Sequence, residues 1–188
     1  KIKRYYNRAH EHDFGFGLPM DKQREHLYGS FSWIDARTLS GEEGMIPDPY
    51  AGVHDALETI AAAGHTLALV TARDMESLKY ILKHHHLDGF FSVYRTWEDI
   101  EKRGEASKPA PDQLLSVMKE IGRFDLGHTL MVGDTTMDMA MAKSAGTRAL
   151  GVTWGSHPKE FLEEAGAHCV IDTAYEIIPA KKRIFNLT

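Results

Sequence analysis

The chain has 188 residues, with 22 Lys and Arg residues against 27 Asp and Glu residues, so its formal net charge is −5 when His is neutral. Hydrophobic residues make up 43% and charged residues 26% of the sequence, a balance that is typical of a globular protein and excludes a disordered or fibrous chain. The acidic excess provides no basic surface for a polyanion, and no nucleic-acid partner is expected.

A change of composition near Pro47 divides the sequence into two parts. Residues 1–46 are polar and rich in aromatic residues, with helical spacing but no apolar strand. Residues 47–188 instead alternate short apolar runs with amphipathic segments. Such alternation is typical of repeated strand–helix units that form a parallel sheet covered by helices. We therefore predict a small helical segment over 1–46 and an α/β core over 47–188.

The core sequence predicts a regular alternation of strands and helices. A first helix follows the spacing of Val53, Leu57 and Ile60 and ends at Gly64, which can adopt the left-handed conformation of a helix stop. Four apolar runs predict strands, and capping residues and glycine stops predict four helices. The strands are predicted at 67–70, 129–132, 148–153 and 168–171, and the helix signals are Asp74, Pro111, Gly122, Gly146 and Pro158. This count favours a doubly wound parallel sheet.

The loop after the first predicted strand carries a candidate anion site. In open parallel sheets, ligands bind beyond the carboxyl ends of the strands, where loops meet helix N-termini. Thr71 follows the first strand, and the backbone N–H groups of Ala72 and Arg73 are predicted to be unpaired at the start of a helix, where they favour an anion. The alternative interpretation is a threonine that only caps a turn.

The loop after the second predicted strand carries two carboxylates. Asp134 and Asp138 are separated by about one helical turn, so both can face one point where the loop meets the helix. Mg²⁺ binds through one or two carboxylates and keeps positions for water and phosphate, which makes this pair a candidate magnesium site. Alternatively, Asp134 is a turn residue and Asp138 is a solvated acid of the first helical turn.

A lysine is predicted to lie in a stiff segment of the chain. Lys108 precedes Pro109, and the prolines at 109 and 111 hold it outside helical conformation just before a helix. An ammonium at that position can neutralise charge on a metal-bound phosphoryl group. A single lysine is more often a solvated surface residue, and only its place in the chain between Thr71 and the acidic pair favours the functional interpretation.

Three segments together resemble a known family. The segments 69–71, 108–112 and 131–138, in this order, resemble motifs two, three and four of the haloacid dehalogenase (HAD) superfamily, most closely its phosphoglycolate-phosphatase-like branch. The resemblance extends over about residues 47–178, and the combination is far more specific than any single segment.

The resemblance implies a Rossmann-like core and a Mg²⁺-dependent phosphatase that acts through an aspartyl-phosphate. By this resemblance, Thr71 would bind phosphoryl oxygens and Lys108 would hold the nucleophile and the phosphate. Asp134 would bind Mg²⁺, and Asp138 would support the metal or its waters. The expected substrate is a small phosphorylated metabolite, such as a phosphoglycolate-like compound, with the segment 1–46 acting as a helical cap over its leaving group.

Motif one of that family is absent from the sequence. The motif is a buried strand that ends in Asp-x-Asp-Gly-Thr, whose first Asp is the nucleophile. The nearest string begins at Asp13, but polar residues precede it and Gly15 stands where the second acid should be. We therefore expect the strand within a further segment of roughly 15–25 residues upstream of Lys1, and expect the chain alone to be inactive.

Other functions remain as alternatives. A dehalogenase or phosphonatase shares the fold, but dehalogenases need no Mg²⁺, so the acidic pair favours phosphate chemistry. A phospho-receiver module is disfavoured because its acidic pair precedes the threonine and lysine, whereas here Asp134 and Asp138 follow Thr71 and Lys108. A degenerate family member that binds without catalysis is the last alternative.

The sequence also predicts the cellular compartment of the protein. Cys169 is the single cysteine, so no internal disulfide can form and a reducing environment is the default. No apolar stretch approaches the roughly 20 residues that cross a bilayer. We expect a cytoplasmic protein without a membrane partner.

Overall fold

The computed structural model describes residue 46, residues 48–122 and residues 125–187. Apart from Ile46, the predicted cap over 1–46 lies outside the described residues, as does Pro47 at the predicted boundary. The division between cap and core therefore stays a prediction.

The described part of the chain contains five strands and seven α-helices in an α/β arrangement. The strands are β1 (Leu67–Val70), β2 (Phe91–Arg95), β3 (Leu130–Gly133), β4 (Arg148–Val152) and β5 (Cys169–Ile171). The helices are α1 (Val53–Ala62), α2 (Met75–His84), α3 (Trp97–Arg103), α4 (Asp112–Ile121), α5 (Thr136–Ala145), α6 (Lys159–Glu164) and α7 (Ile177–Ile184), and short 3₁₀ turns cover Leu126–His128 and Ala174–Glu176. None of these described helices is both long enough and apolar enough to span a membrane.

The predicted helix boundaries agree with the structure. Asp74 caps α2, because its carboxylate accepts a hydrogen bond of 2.7 Å from the Ser77 N–H. Pro111 directly precedes α4, and Pro158 directly precedes α6. Gly122 and Gly146 end α4 and α5 in the left-handed conformation, which glycine adopts without steric cost.

The sequence analysis missed strand β2, so the predicted count of four strands is wrong. β2 ends in Arg95, whose side chain is only 2% exposed. Its guanidinium donates to the Ser116 hydroxyl at 2.9 Å and pairs with the Glu120 carboxylate. Ser92 interrupts the apolar run and Arg95 ends it with a charge, so the segment lacks the continuous apolar pattern by which a buried strand is recognised. The partners of Arg95 on α4 are known only from the tertiary structure.

Strand residues alternate between two helical layers, as the predicted doubly wound sheet requires. Ala149 packs against Met139 of α5 and Leu162 of α6. The next residue, Leu150, faces the opposite side and packs with Ala180 of α7. Because successive strand residues point to opposite faces, helices cover both sides of this sheet. The predicted α/β fold class is confirmed.

The strands form two separate parallel sheets among the described residues. β1 pairs with β2, and β4 lies between β3 and β5, but β1 and β3 are not hydrogen-bonded to each other. Both sheets rest on α4 and α5, since Val70 of β1 and Met131 of β3 pack against the same apolar cluster. The described chain thus leaves β1 and β3 with one unpaired edge each, and Val132 of β3 is 40% exposed.

This pairing predicts a hierarchy of backbone protection. Within the described residues only β4 has a strand on both sides. We expect its amides to exchange with solvent about tenfold or more slowly than those of β1 and β3 in native-state hydrogen exchange. Equal protection of all three strands would show that a further segment covers the edges of β1 and β3.

Candidate active site

The candidate site lies at the carboxyl ends of β1 and β3, where the two sheets approach a common helical layer. The backbone N–H of Thr71 donates to the Arg95 carbonyl at 2.9 Å and so extends the pairing of β1 with β2 by one residue. On the other side, Asp134 directly follows β3 and precedes α5. The loops that carry the predicted residues therefore leave the same edge of the two sheets.

Thr71 does not stand at a helix N-terminus, in contrast to the prediction. α2 begins at Met75, and the Thr71 hydroxyl accepts a hydrogen bond of 3.2 Å from the Arg73 N–H. The Arg73 N–H is therefore paired, whereas the Ala72 N–H donates to none of the described residues. No hydrogen bond joins Thr71 to Lys108, whose ammonium instead donates to Val70 and Asp138.

Lys108 connects the two halves of the site. Its ammonium donates to the carbonyl of Val70, the last residue of β1, at 2.9 Å and to the Asp138 carboxylate of α5 at 2.6 Å. The side chains of Lys108 and Asp138 are only 15% and 6% exposed, so solvent screens this ion pair less than a surface pair. A hydrogen bond of 2.9 Å from the Ala106 N–H to the Asp112 carboxylate closes the loop that carries Lys108.

Asp138 is held by its own helix as well as by Lys108. One carboxylate oxygen, Oδ2, accepts from the Thr135 N–H at 3.1 Å and from its hydroxyl at 2.7 Å, while that hydroxyl accepts from the Asp138 N–H. This reciprocal capping box satisfies N–H groups that a helix start leaves unpaired. Gly133 is required beside it, since a Cβ there would overlap the Asp138 side chain. Both oxygens of Asp138 are thus occupied by the protein.

Asp134 presents a more open carboxylate. Its Oδ2 accepts from the Ser156 N–H at 2.8 Å, and its backbone carbonyl accepts from the His157 N–H at 3.1 Å. Oδ1 accepts no hydrogen bond from the part of the chain that the structure describes. The backbone of Gly155 passes directly against this side chain, where a Cβ would overlap the carboxylate. Asp134 is therefore oriented by the loop after β4 and retains a free oxygen.

The sequence analysis missed His157, which supports the start of α5. The side chain is 4% exposed, and its Nδ1 accepts a hydrogen bond of 3.1 Å from the Thr136 N–H. The N–H groups of a first helical turn have no partner within the helix, so His157 stabilises the helix end that carries the acidic loop. The sequence signal that could have identified His157 is its position shortly after β4, at the same edge of the sheet as the other site residues.

The structure brings three of the predicted side chains to one loop–helix junction and leaves Thr71 beside them on the end of β1. Lys108 contacts Asp138 directly, and Asp134 lies one residue before the cap of the same helix. The described residues contain no group of three or more His, Cys, Asp or Glu side chains that could hold a metal ion. Among the described residues, the arrangement offers a fixed ammonium, an Ala72 N–H without an acceptor and a carboxylate whose Oδ1 has no donor. These groups suit a phosphoryl group beside a hydrated cation.

Comparison with known proteins identifies relatives of this chain. A family model described as haloacid dehalogenase-like hydrolase matches residues 21–152. The chain is similar to the probable phosphatase IndB of Dickeya dadantii, with 34% identity over 139 residues that cover 74% of this chain and 58% of the relative. It is also similar to the phosphoglycolate phosphatase of Salmonella typhimurium, with 30% identity over 74% of this chain and 52% of the relative. The chain thus spans little more than half the length of these curated relatives.

A solved structure has the same fold. The crystal structure of a HAD-superfamily hydrolase from Geobacter sulfurreducens superposes with a TM-score of 0.60 and 24% sequence identity. The superposition covers 88% of this chain and 69% of the other chain. At this identity the likeness supports the fold alone, and it agrees with the predicted Rossmann-like architecture.

The close approach of Gly155 to Asp134 can be tested by substitution. We expect Gly155→Ala to lower the free energy of unfolding by about 1–3 kcal/mol, because the new methyl group must displace the carboxylate or the loop. The matched control is Gly89→Ala, where a Cβ meets no atom within 4 Å, and its effect should stay within about 0.5 kcal/mol. Urea denaturation measures both, and equal effects would contradict the packing described.

The capping box of α5 yields a second stability prediction. Thr135→Ala removes the hydroxyl that accepts from the Asp138 N–H and should lower the free energy of unfolding by about 1 kcal/mol. Thr135→Ser retains the hydroxyl and should be close to the parent chain in the same denaturation experiment. An equal loss in both variants would indicate that the threonine methyl group, rather than the cap, stabilises this helix end.

Proposed function

Because the chain belongs to the haloacid dehalogenase-like hydrolase family, we propose that it forms part of a phosphatase that acts on a small, phosphoglycolate-like phosphorylated metabolite. The observation that carries the proposal is the Lys108 ammonium, held between the end of β1 and Asp138, beside the open carboxylate of Asp134. This combination of a partly buried cation and a carboxylate oxygen without a donor among the described residues favours a phosphoryl group over an uncharged substrate.

Three groups at the end of β1 would bind the phosphoryl oxygens. The Ala72 N–H has no described partner and is a ready donor. The Thr71 hydroxyl accepts from Arg73 and keeps its own proton to donate. Lys108 supplies a positive charge whose position is set by Val70 and Asp138, so little rearrangement is required as negative charge develops.

The acidic loop fits Mg²⁺ with unequal roles for its two carboxylates. Asp134 has a free oxygen and would bind the ion directly, which agrees with the one or two protein carboxylates that hydrated Mg²⁺ uses. Asp138 already accepts from Lys108 and Thr135, so it would orient Lys108 and the water shell instead. When bound, Mg²⁺ would neutralise charge on the phosphoryl oxygens.

The nucleophile of the proposed aspartyl-phosphate route is not found among the motifs of residues 1–188. We propose that it lies on a strand that pairs with both β1 and β3, because these edges face a common helical layer and lack partners among the described residues. The carboxyl end of such a strand would reach Lys108, which bridges the same two edges. The chain without that strand is expected to be inactive.

The proposal also covers the segment 1–46 and the cellular compartment. Residues 1–46 would form a helical cap over the leaving group and restrict the site to small phosphomonoesters. The single cysteine, Cys169, favours a reducing compartment, so we propose that the enzyme acts in the cytoplasm.

The test compares the chain with a version extended at Lys1 by an apolar strand ending in Asp-x-Asp-Gly-Thr. Hydrolysis of p-nitrophenyl phosphate and phosphoglycolate is measured with Mg²⁺ and with EDTA. We expect activity only in the extended chain and only with Mg²⁺. In that background, Lys108→Met and Asp134→Asn should each lower kcat/KM about 10²-fold or more, because each removes a charge next to the phosphoryl group.

The controls separate the parts of the proposal. Lys83→Gln removes an exposed cation from α2, far along the chain from the site loops, and should leave kcat/KM unchanged. Equal activity in the chain without the extension would overturn the proposed position of the nucleophile. Full activity in EDTA together with cleavage of a haloacid would favour the dehalogenase alternative, and no activity toward any phosphomonoester would overturn the phosphatase.

A further inference from the structure

A cavity lies at the edge of the three-stranded sheet opposite to the candidate active site. Its volume is about 490 Å³, and it is lined by Arg148, the first residue of β4, and by His168, which directly precedes β5. Lys143 and Gly146, at the carboxyl end of α5, form another wall. The active-site loops instead follow the carboxyl ends of the strands, so this cavity is separate from the site described above.

The charge of the cavity wall is positive and uncompensated. Lys143 and Arg148 both line it, and no acidic side chain is among the lining residues. Within residues 48–122 and 125–187, neither cation forms an ion pair or a side-chain hydrogen bond. Two cations with fixed charge and no local partner favour an anionic ligand.

His168 adds a neutral hydrogen-bond donor to this wall. Its Nδ1 accepts from the Ala149 N–H at 3.1 Å, and its own backbone N–H donates to the Ala149 carbonyl at 2.9 Å. Burial, together with the nearby Arg148 guanidinium, lowers the pKa of the imidazole below its ordinary value, which favours the neutral ring. With Nδ1 acting as an acceptor, the ring proton lies on Nε2 and is available to a ligand.

The carboxyl end of α5 carries a partial negative charge, which by itself would repel an anion. The net charge of the cavity therefore depends on how these carbonyls are paired and on the cations beside them. The Gly146 N–H donates to the carbonyls of Ala142 and Lys143, and the Ala142 carbonyl also accepts from the Thr147 N–H and hydroxyl. Two of the carbonyls at this helix end are therefore paired within the chain. A helix end carries roughly half a negative charge, whereas Lys143 and Arg148 contribute two full positive charges, so the positive sign prevails.

From this geometry we propose that the cavity binds a small phosphate-bearing anion at a position remote from catalysis. The volume falls within the range of about 300–1,000 Å³ that is usual for small-molecule sites and exceeds the need of a single halide ion. The guanidinium of Arg148 suits the paired oxygens of a phosphate, and Lys143 adds a point charge. The inference does not depend on the phosphatase activity, since it uses none of the residues of the candidate active site.

The test is a titration of the full chain with pyrophosphate at 0.15 M ionic strength, where long-range surface attraction is largely screened. Calorimetry measures the affinity, and ¹⁵N amide shifts locate the ligand. We expect shifts at residues 146–149 and 166–168, and an affinity at least tenfold lower in the double variant Lys143→Gln/Arg148→Gln. Both side chains are exposed, so this variant should unfold at the temperature of the parent chain.

Two further variants test whether pyrophosphate binds at the cavity rather than at other cations or at the candidate active site. The matched control Lys79→Gln/Lys83→Gln removes two exposed cations from α2 and should leave the affinity unchanged. Lys108→Met weakens the candidate active site and should leave the cavity shifts in place. The proposal is overturned if Lys143→Gln/Arg148→Gln binds as tightly as the parent or if the α2 variant loses as much affinity. It is also overturned if Lys108→Met keeps the unfolding temperature of the parent chain and yet abolishes the shifts at 146–149.

Discussion

In the described part of the chain, one lysine connects the two sheets at their carboxyl ends, beside the apolar cluster on which both sheets pack. Lys108 donates to the terminal carbonyl of β1 and to the Asp138 carboxylate behind β3, so a single ammonium links edges that share no strand hydrogen bond. The cost of taking this cation partly out of water is offset by its two partners. The same contacts hold the charge where a phosphoryl group would need it, so one interaction serves both the fold and the proposed chemistry.

Helix α5 has the acidic loop at its amino end and the cationic cavity at its carboxyl end. Its first turn is organised by Thr135, Asp138 and His157, which pair N–H groups that the helix leaves free. Its last turn ends at Gly146 beside a cationic cavity. Because an α-helix of ten residues is about 15 Å long, the proposed anion site lies well away from the acidic loop on the same rigid element.

Membership of the haloacid dehalogenase-like hydrolase family accords with the order of the motif segments along the chain. The structure gives Asp134 and Asp138 different hydrogen-bond partners, although the sequence pattern does not distinguish these two carboxylates. Asp138 has both oxygens occupied by Lys108 and Thr135. Asp134 accepts through Oδ2 from Ser156, and its Oδ1 has no hydrogen-bond donor among the described residues. A pattern of two acids four residues apart cannot reveal this difference, because it arises from partners 22 and 30 residues away in the chain.

Local patterns in the sequence predict the alternation of strands and helices and the helix stops at Gly122 and Gly146. They also predict that Thr71, Lys108 and Asp134 lie on loops, with Asp138 in the first turn of the following helix. These features follow from local propensities and from the polarity of a parallel sheet, both of which can be derived from composition and spacing. Only the tertiary structure revealed β2 with its buried Arg95, the role of His157, and the cavity between α5 and β4. Arg95 and His157 each have a hydrogen-bond partner distant in the chain, and the cavity is lined by residues from separate segments. No local pattern encodes either kind of contact.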